Sequence, residues 1–410
     1  MLHFIFKIRG GKKMKALNFE GSGSEYFKIW IVNVLLVIIT AGLYYPWAKV
    51  RNHRYFYGNT TLEGRNFEYH ATGKQLFLGF LVAMTLFIVY VVIQQIFPLG
   101  NLLLLLLLFV AIPWLIWRSL SFSMRMTSFS NVRFGFKGTL KEAYINFFFY
   151  PLLLILAVYG IPIAAAIGIP MMGTQANMPS WVVTLIPIII LISLIFALYM
   201  YALIKKRNAS YVVNGLRYGQ GIFSVKLETK VFLKILLKTI LLSFLMLGIV
   251  FLLVGAVVYG TVGLEGMMEI KNSMDDPEAV KQNMGAVMPV IMVVYLGVIL
   301  ASMFVMAYAK TRERTYIYEN MMLDEKIAFA STLRAKPLAW VMITNFLMVI
   351  LTLGLAFPWA KVRMARVMVE NTLVDTEAGF YDYVTQKQKE ESSLGEQIGD
   401  AFDVDVGLGF

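Results

Sequence analysis

One hexapeptide occurs twice in the chain, as Pro46-Trp47-Ala48-Lys49-Val50-Arg51 and as Pro358-Trp359-Ala360-Lys361-Val362-Arg363, and each copy is followed three residues later by Arg54 or Arg366. An indole beside a row of cationic side chains suits the boundary between hydrocarbon and lipid head groups, and a guanidinium fork can grip a phosphate through two hydrogen bonds. Trp47, Lys49, Arg51 and Arg54, with Trp359, Lys361, Arg363 and Arg366, are therefore candidates for holding an anionic head group or another anion. The plainer alternative is an interfacial anchor that also stops a helix. A second set lies inside the apolar runs that precede these motifs: Asn33 and Thr40, with their equivalents Asn345 and Thr352. Polar groups at lipid depth either line a pathway or hydrogen-bond to neighbouring helices.

The residues for covalent or metal chemistry are missing. With no cysteine there is no thiolate, disulfide or Cys-ligated metal, and the three histidines, His3, His53 and His70, are scattered. There is no His-Glu-x-x-His, phosphate loop or dinucleotide fingerprint. Gly21-Ser22-Gly23-Ser24 lacks nucleophile-elbow spacing. The acidic pairs Asp275-Asp276 and Glu390-Glu391 sit in polar stretches and read as solvated faces. No catalytic residue, metal site or cofactor is expected, and the chain is not expected to be an enzyme.

The elements that must position these residues are membrane helices. Of 410 residues 59% are hydrophobic and 15% charged, and the mean hydropathy is +0.68; a soluble chain is nearer ~45–50% apolar. Eight runs approach the roughly 20 residues needed to span a bilayer: 28–47, 76–97, 99–121, 145–170, 181–204, 231–262, 287–309 and 338–358. Segments 48–75, 118–144, 205–230 and 310–336 are basic, whereas Pro98–Asn101 and Met171–Ser180 carry no charge and Gly263–Gly285 is mainly acidic. The basic loops face the cytoplasm by the positive-inside rule, and the six central runs alternate cleanly. The first and last runs do not, because each has positive charge at both ends; they are expected to be re-entrant or non-spanning. Glycine and proline breaks at Pro113, Pro151, Gly160-x-Pro162, Gly168-x-Pro170 and Pro187 suit discontinuous helices or tolerated irregularities. Up to Arg366 there are 35 basic and 15 acidic residues, and after it 2 and 10. The basic part suits anionic lipid head groups as partners, with no need to invoke nucleic acid. Leu2 to Phe6 precede rather than follow the first lysines, so no cleaved signal is expected, and Met14 offers an alternative start.

Under an offset of 312 residues Asn33 falls on Asn345, Thr40 on Thr352, Gly42 on Gly354, Arg54 on Arg366 and Asn59-Thr60 on Asn371-Thr372, which indicates internal duplication. A shorter pattern precedes several helices: Leu17-x-Phe19-x-Gly21-Ser22, Phe67-x-Tyr69-x-Ala71-Thr72, Phe134-x-Phe136-x-Gly138-Thr139 and Ile327-x-Phe329-x-Ser331-Thr332. The alternation predicts short strands, the hydroxyls predict N-caps, and Glu25, Gln75 and Glu142 complete three capping boxes. Asn214-Gly215 reads instead as a hairpin turn. Strands this short leave backbone groups unpaired, so the copies are expected to pair with one another.

The Phe19-x-Gly21 approach, the Thr40-x-Gly42 to Pro46-Trp47-x-x-x-Arg51 exit and the Arg54…Asn59-Thr60 continuation resemble the YjgN-type family of uncharacterised bacterial inner-membrane proteins, over about residues 14–385. The resemblance implies a multipass protein of the bacterial inner membrane and brings no site residues with it. The expected fold is an all-α polytopic membrane protein with six to eight hydrophobic helices, short cytoplasmic β-strand segments and an internal duplication. Residues 1–27 form a basic segment with a short strand, 28–366 the multipass domain with the duplicated motif at 30–60 and 342–372, and 367–410 an acidic, disordered tail. The expected function is carriage or channelling of a small solute; the alternative is a non-catalytic scaffold or anionic-lipid-binding envelope protein.

Overall fold

In the computed structural model, residues 7–9, 12–96, 98–160, 163, 180–275, 284–376 and 379–390 are described. The chain divides into two compact units, one of residues 1–233, 315–332 and 355–410, the other of residues 234–314 and 333–354.

Among the described residues, every strand lies in the first unit. β1 (Lys7–Arg9), β2 (Lys12–Ala16) and β3 (Asn18–Phe19) lead into α1 (Gly23–Ile39) and α2 (Tyr45–Gly58). β4 (Thr60–Leu62) and β5 (Arg65–Tyr69) are followed by α3 (Gly73–Ile96) and α4 (Pro98–Arg125). After β6 (Thr127–Phe129) and β7 (Val132–Phe136) comes α5 (Leu140–Gly160), which includes π-helical turns at Ile145–Phe149 and Leu156–Gly160. α6 (Ser180–Gly215), β8 (Leu216–Tyr218) and β9 (Gly221–Val225) follow, then α7 (Thr229–Asp275) and α8 (Met284–Glu319), whose apolar lengths run through the second unit. β10 (Met321–Leu323) and β11 (Ile327–Ser331) return to the first unit; α9 (Ala335–Leu351) belongs to the second, and α10 (Phe357–Glu370), β12 (Thr372–Asp375) and α11 (380–390) to the first.

Among the described residues six helices are long and apolar enough to cross a membrane: Gly73–Ile96, Leu104–Arg125, Leu140–Gly160, Pro187–Gly215, Thr229–Gly260 and Met288–Glu319. They coincide with the six central runs. Their large apolar side chains face outward, Leu241 and Phe244 at 70% exposure among them, as expected where lipid rather than protein is the neighbour. In the second unit Gly297 of α8 lies against Val250 of α7, the close approach that a missing Cβ permits.

The expectation of an all-α fold is corrected by the sheet. Among the described residues twelve antiparallel strands follow the order β1-β2-β12-β11-β10-β9-β8-β7-β6-β5-β4-β3. Its two ends belong to one stretch of chain: β2 pairs with β12 (Ala16↔Leu373, Met14↔Asp375), while β3, one residue further on, pairs with β4 (Asn18↔Thr61, Phe19↔Thr60). The Leu17 N–H donates to Thr372 O at 3.0 Å and the Glu20 N–H to Asn59 O at 2.9 Å, so the pairing passes from one neighbour to the other without a break. The sheet is therefore closed. Closure resolves the edge problem that strands of two to five residues would otherwise have.

Most hairpins turn through paired left-handed residues, Glu63-Gly64, Ser130-Asn131 and Asp324-Glu325, the geometry that matches strand twist. Asn214-Gly215 is no turn; it ends α6, and its hairpin reverses at Gly219-Gln220. Gly215 is required there because a Cβ would strike the Phe136 ring. Capping boxes are formed at Ser22/Glu25, Thr72/Gln75 and Thr139/Glu142. The fourth hydroxyl is used otherwise: Thr332 donates to Asn371 Oδ1 at 2.9 Å, and α9 starts after Arg334.

The region expected to be a disordered tail contains β12 and α11. Phe380, Tyr383 and Val384 of α11 are buried in one core with Phe129, Tyr218 and Ile327 of the strands; four residues at helical spacing, 380, 383, 384 and 387, supply enough of a face to dock. Residues 391–410, Met1–Phe6, Pro162, Gly168-x-Pro170 and Asp276–Glu278 lie outside the described residues.

Candidate functional site

α1 and α2 form a hairpin. α1 ends in a Schellman-type turn, with Gly42 N–H to Val37 O at 2.7 Å and Ala41 and Gly42 both left-handed. Met348–Gly354 repeats it: Gly354 N–H reaches Val349 O at 2.8 Å, with Leu353 and Gly354 left-handed. α2 then returns along α1. Arg51 Nη1 donates to Asn33 Oδ1 at 3.1 Å and to the Tyr44 hydroxyl at 3.4 Å, Asn33 Nδ2 donates to Asn52 Oδ1 at 3.2 Å, and the Tyr55 hydroxyl reaches back to Ser22 O at 2.8 Å. Thus the α1–α2 hairpin, which carries the first apolar run, starts after β3 and finishes before β4, beside the sheet at both ends. At 17 residues, α1 and α9 are each about 25 Å long.

The polar residues considered for a pathway are largely consumed locally. Asn33 is held by Arg51 and Asn52. Thr40 Oγ1 donates to Leu36 O at 2.7 Å and accepts from Tyr44 N–H at 3.0 Å, and Thr352 Oγ1 donates to Met348 O at 2.8 Å. Asn345 is buried within α9.

The two hexapeptides dock helices. Trp47 of α2 lies on the first residue of α3, Gly73, and Trp359 of α10 on the first residue of α1, Gly23; a Cβ at either glycine would collide with the indole. Trp47 meets Phe77 with ring centroids 5.1 Å apart, and Trp359 meets Phe27 at 5.1 Å. Tyr45 meets Phe80 at 6.1 Å, and Phe357 meets Trp30 at 6.2 Å. Arg54 Nη2 donates to Ala71 O at 3.0 Å, and Arg366 Nη2 to Gly21 O at 2.9 Å. α10 thus packs on α1 as α2 packs on α3, and this last docked helix meets the first helix just as β12 meets β2. Trp47, Trp359, Arg54 and Arg366 serve this packing. The signal was available: glycine follows the cap in Ser22-Gly23 and Thr72-Gly73, where a Trp arrives, but leucine follows Thr139.

The lysines are not equivalent. Lys49 is exposed, whereas Lys361 donates to the Tyr26 hydroxyl at 3.0 Å and lies over the rings of Tyr26 (5.2 Å) and Phe56 (5.0 Å). Among the described residues no carboxylate lies within ion-pair distance of it. Burial holds its ammonium below the ordinary lysine range. His53, on the same face of α2 as Lys49 and Phe56, is also held below its ordinary value, first by burial and then by the charges of Lys49 and Lys361. Arg51 is exposed apart from its bonds to Asn33 and Tyr44, and Arg363 is half-buried on α10.

Sequence reasoning missed a second polar cluster, where α11 engages the hairpin turns. Tyr383 donates to Asp324 Oδ2 at 2.7 Å, Asp324 Oδ1 accepts from Ile222 N–H at 2.6 Å, and Lys387 lies 3.7 Å from Asp324 and 3.0 Å from Glu390. Tyr381 bonds Glu63, and Gln388 bonds the Ser130 carbonyl. Open hollows of about 290 Å³, lined by Arg65, Glu68, Asn131 and Gln388, and about 260 Å³, lined by Arg133, Gln220, Lys387 and Glu390, flank this helix. Burial, and then the Asp324 carboxylate, push the Tyr383 hydroxyl well above the usual tyrosine range.

Residues 14–401 match the family model described as "Bacterial protein of unknown function (DUF898)". The chain is 28% identical over 383 residues to "Inner membrane protein YjgN" of Salmonella typhimurium strain LT2, covering 92% of each chain. It is 30% identical over 363 residues to the protein of the same name from Escherichia coli O157:H7, covering 86% of this chain and 87% of that one. No solved structure matches. With six helices able to span a bilayer among the described residues and relatives of this name along nearly its whole length, the chain is a multipass inner-membrane protein and belongs to this DUF898 family of bacterial proteins of unknown function.

Proposed function

We propose that the protein is a non-catalytic membrane scaffold that binds anionic lipid, with its closed sheet on the cytoplasmic face. The observation that carries this reading is the fate of the polar side chains at lipid depth. Asn33, Thr40 and Thr352 are occupied by hydrogen bonds inside or between adjoining helices, which leaves little to line a path for a small solute, and solute carriage is the less supported reading. Basic side chains are concentrated instead where spans run into strands: Lys205, Lys206 and Arg207 before β8, and Lys310, Arg312 and Arg314 before β10. Such residues attract anionic head groups by about 1 kcal/mol each near the surface, and by the positive-inside rule their position supports a sheet on the cytoplasmic side.

The test is native mass spectrometry of the full-length protein titrated with phosphatidylglycerol and with phosphatidylcholine. Scaffolding on anionic lipid requires clear retention of phosphatidylglycerol over phosphatidylcholine. Equal retention, or uptake of a solute by protein-containing vesicles above empty ones, would favour carriage instead.

A further inference from the structure

We propose that Lys49, His53 and Lys361 form a binding site for a single phosphate group beside the Phe56 ring of α2, where the Lys361 side chain of α10 reaches it. The inference rests on the lipid-binding reading above and names the residues and the ligand chemistry. Lys49 and His53 are four residues apart and so share a face of α2, and Phe56 continues that face. The Lys361 ammonium is brought onto it from α10, 5.0 Å from the centroid of the Phe56 ring. Three basic groups therefore converge, two from the first copy of the repeated region and one from the second.

Their surroundings lack a protein anion. The Tyr26 hydroxyl takes one of the three Lys361 donors, and the rings of Tyr26 and Phe56 stabilise the cation through their faces. Among the described residues no carboxylate completes the site: Glu25, the nearest acid in sequence to Tyr26, accepts instead from the Ser22 N–H and the Tyr55 hydroxyl, and Glu370 pairs with Arg366. A half-buried ammonium with two donors to spare, beside an imidazole that offers a further ring N–H, suits a phosphate with its several acceptor oxygens. Lys361 owes this environment to Tyr26, whose equivalent in the other docked pair is Leu76; Lys49 has no such ring and stays at the surface. The phosphate could be part of a phosphatidylglycerol head group or free inorganic phosphate.

The experiment compares the full-length wild type with Lys361→Met and Lys49→Gln in native mass spectrometry, titrating phosphatidylglycerol with and without millimolar inorganic phosphate. Thermal unfolding in detergent is followed in parallel. Lys361→Met removes the charge and keeps the volume, so without an anion to lose it should fold at least as well as wild type. The expected result is a loss of about tenfold or more in phosphatidylglycerol affinity for Lys361→Met, the scale of a charged hydrogen bond, with a smaller loss for Lys49→Gln. Displacement of the lipid by inorganic phosphate assigns the site to the free anion; retention of lipid in its presence assigns it to the head group; either supports a phosphate site. Wild-type affinity within twofold in both variants would overturn it. That result differs from failure of the broader reading, in which wild type itself shows no preference for phosphatidylglycerol.

Discussion

Adding one methyl group at either docking glycine, Gly73→Ala or Gly23→Ala, should destabilise the protein by similar amounts. In each case the new Cβ would overlap the five-membered ring of an indole, Trp47 or Trp359, so the ring must move as a whole and give up its contact with Phe77 or Phe27. Overpacking of this kind typically costs about 1–3 kcal/mol. Against it stands the helix-forming advantage of alanine over glycine, at most about 1 kcal/mol in a helix interior and smaller at a first helical position. A net loss of about 1–2 kcal/mol is expected, which lowers the melting temperature by roughly 2–6 °C in a large domain. Differential scanning fluorimetry in mild detergent measures it. The decisive comparison is a double-mutant cycle: in a Trp47→Leu background Gly73→Ala should become neutral or stabilising, because the obstructing ring is gone. If Gly73→Ala is harmless in wild type, or equally harmful with Trp47→Leu, the glycine and indole are not in contact and the docking account is wrong.

Other outcomes follow from the same geometry. Asp324→Asn leaves Tyr383 and Ile222 with a weaker acceptor and removes the charge beside Lys387, so it should destabilise by about 1–3 kcal/mol; deleting residues 380–390 should expose Phe129, Tyr218 and Ile327 and admit protease to the strands. His53 is held below its ordinary value in the folded state, so below about pH 6.5 the unfolded chain binds the extra proton first. Melting temperature should therefore rise with pH up to about that value and then level off, and His53→Gln should flatten the rise; an unchanged profile in the variant would remove His53 as its source. For sidedness, cysteines placed singly at Gly58 and Glu370, in a chain with none of its own, should label with an impermeant maleimide only after permeabilisation, since both positions adjoin strands of one closed sheet; labelling of one from outside would place the two copies on opposite faces.

The six spans were legible because a run of about twenty apolar residues with basic ends admits little else. The strands were legible one at a time, from the alternation in Phe67-x-Tyr69 or Phe134-x-Phe136, but closure was not. It depends on residues 12–19 having β12 on one side and β4 on the other, a relation between positions more than 300 residues apart that no local period encodes. α11 was hidden for a different reason: Phe380, Tyr383, Val384 and Lys387 do share a helical face, yet the acidic residues around them dominate any reading by composition. The repeated motif was recognised, but its tryptophans suited a membrane interface as well as a helix contact, and only the glycines at 23 and 73 distinguish the two.

The duplicated lysines carry that point further. Lys49 and Lys361 stand in identical hexapeptides, and the docking contacts on either side of them agree to within a few tenths of an ångström. Their difference originates in the helices on which they dock, where Tyr26 occupies the place of Leu76. One aromatic residue supplies a hydroxyl acceptor and a ring face to Lys361, and the same lysine in the other copy remains in solvent. Identity within the motif therefore fixes how these helices pack, while the partner surface decides whether a cation becomes part of a site. Exchanging the partners tests this directly: Leu76→Tyr should draw Lys49 inward, and Tyr26→Leu should release Lys361. If neither exchange alters how readily an amine-specific reagent modifies the two lysines, the difference between them has another origin.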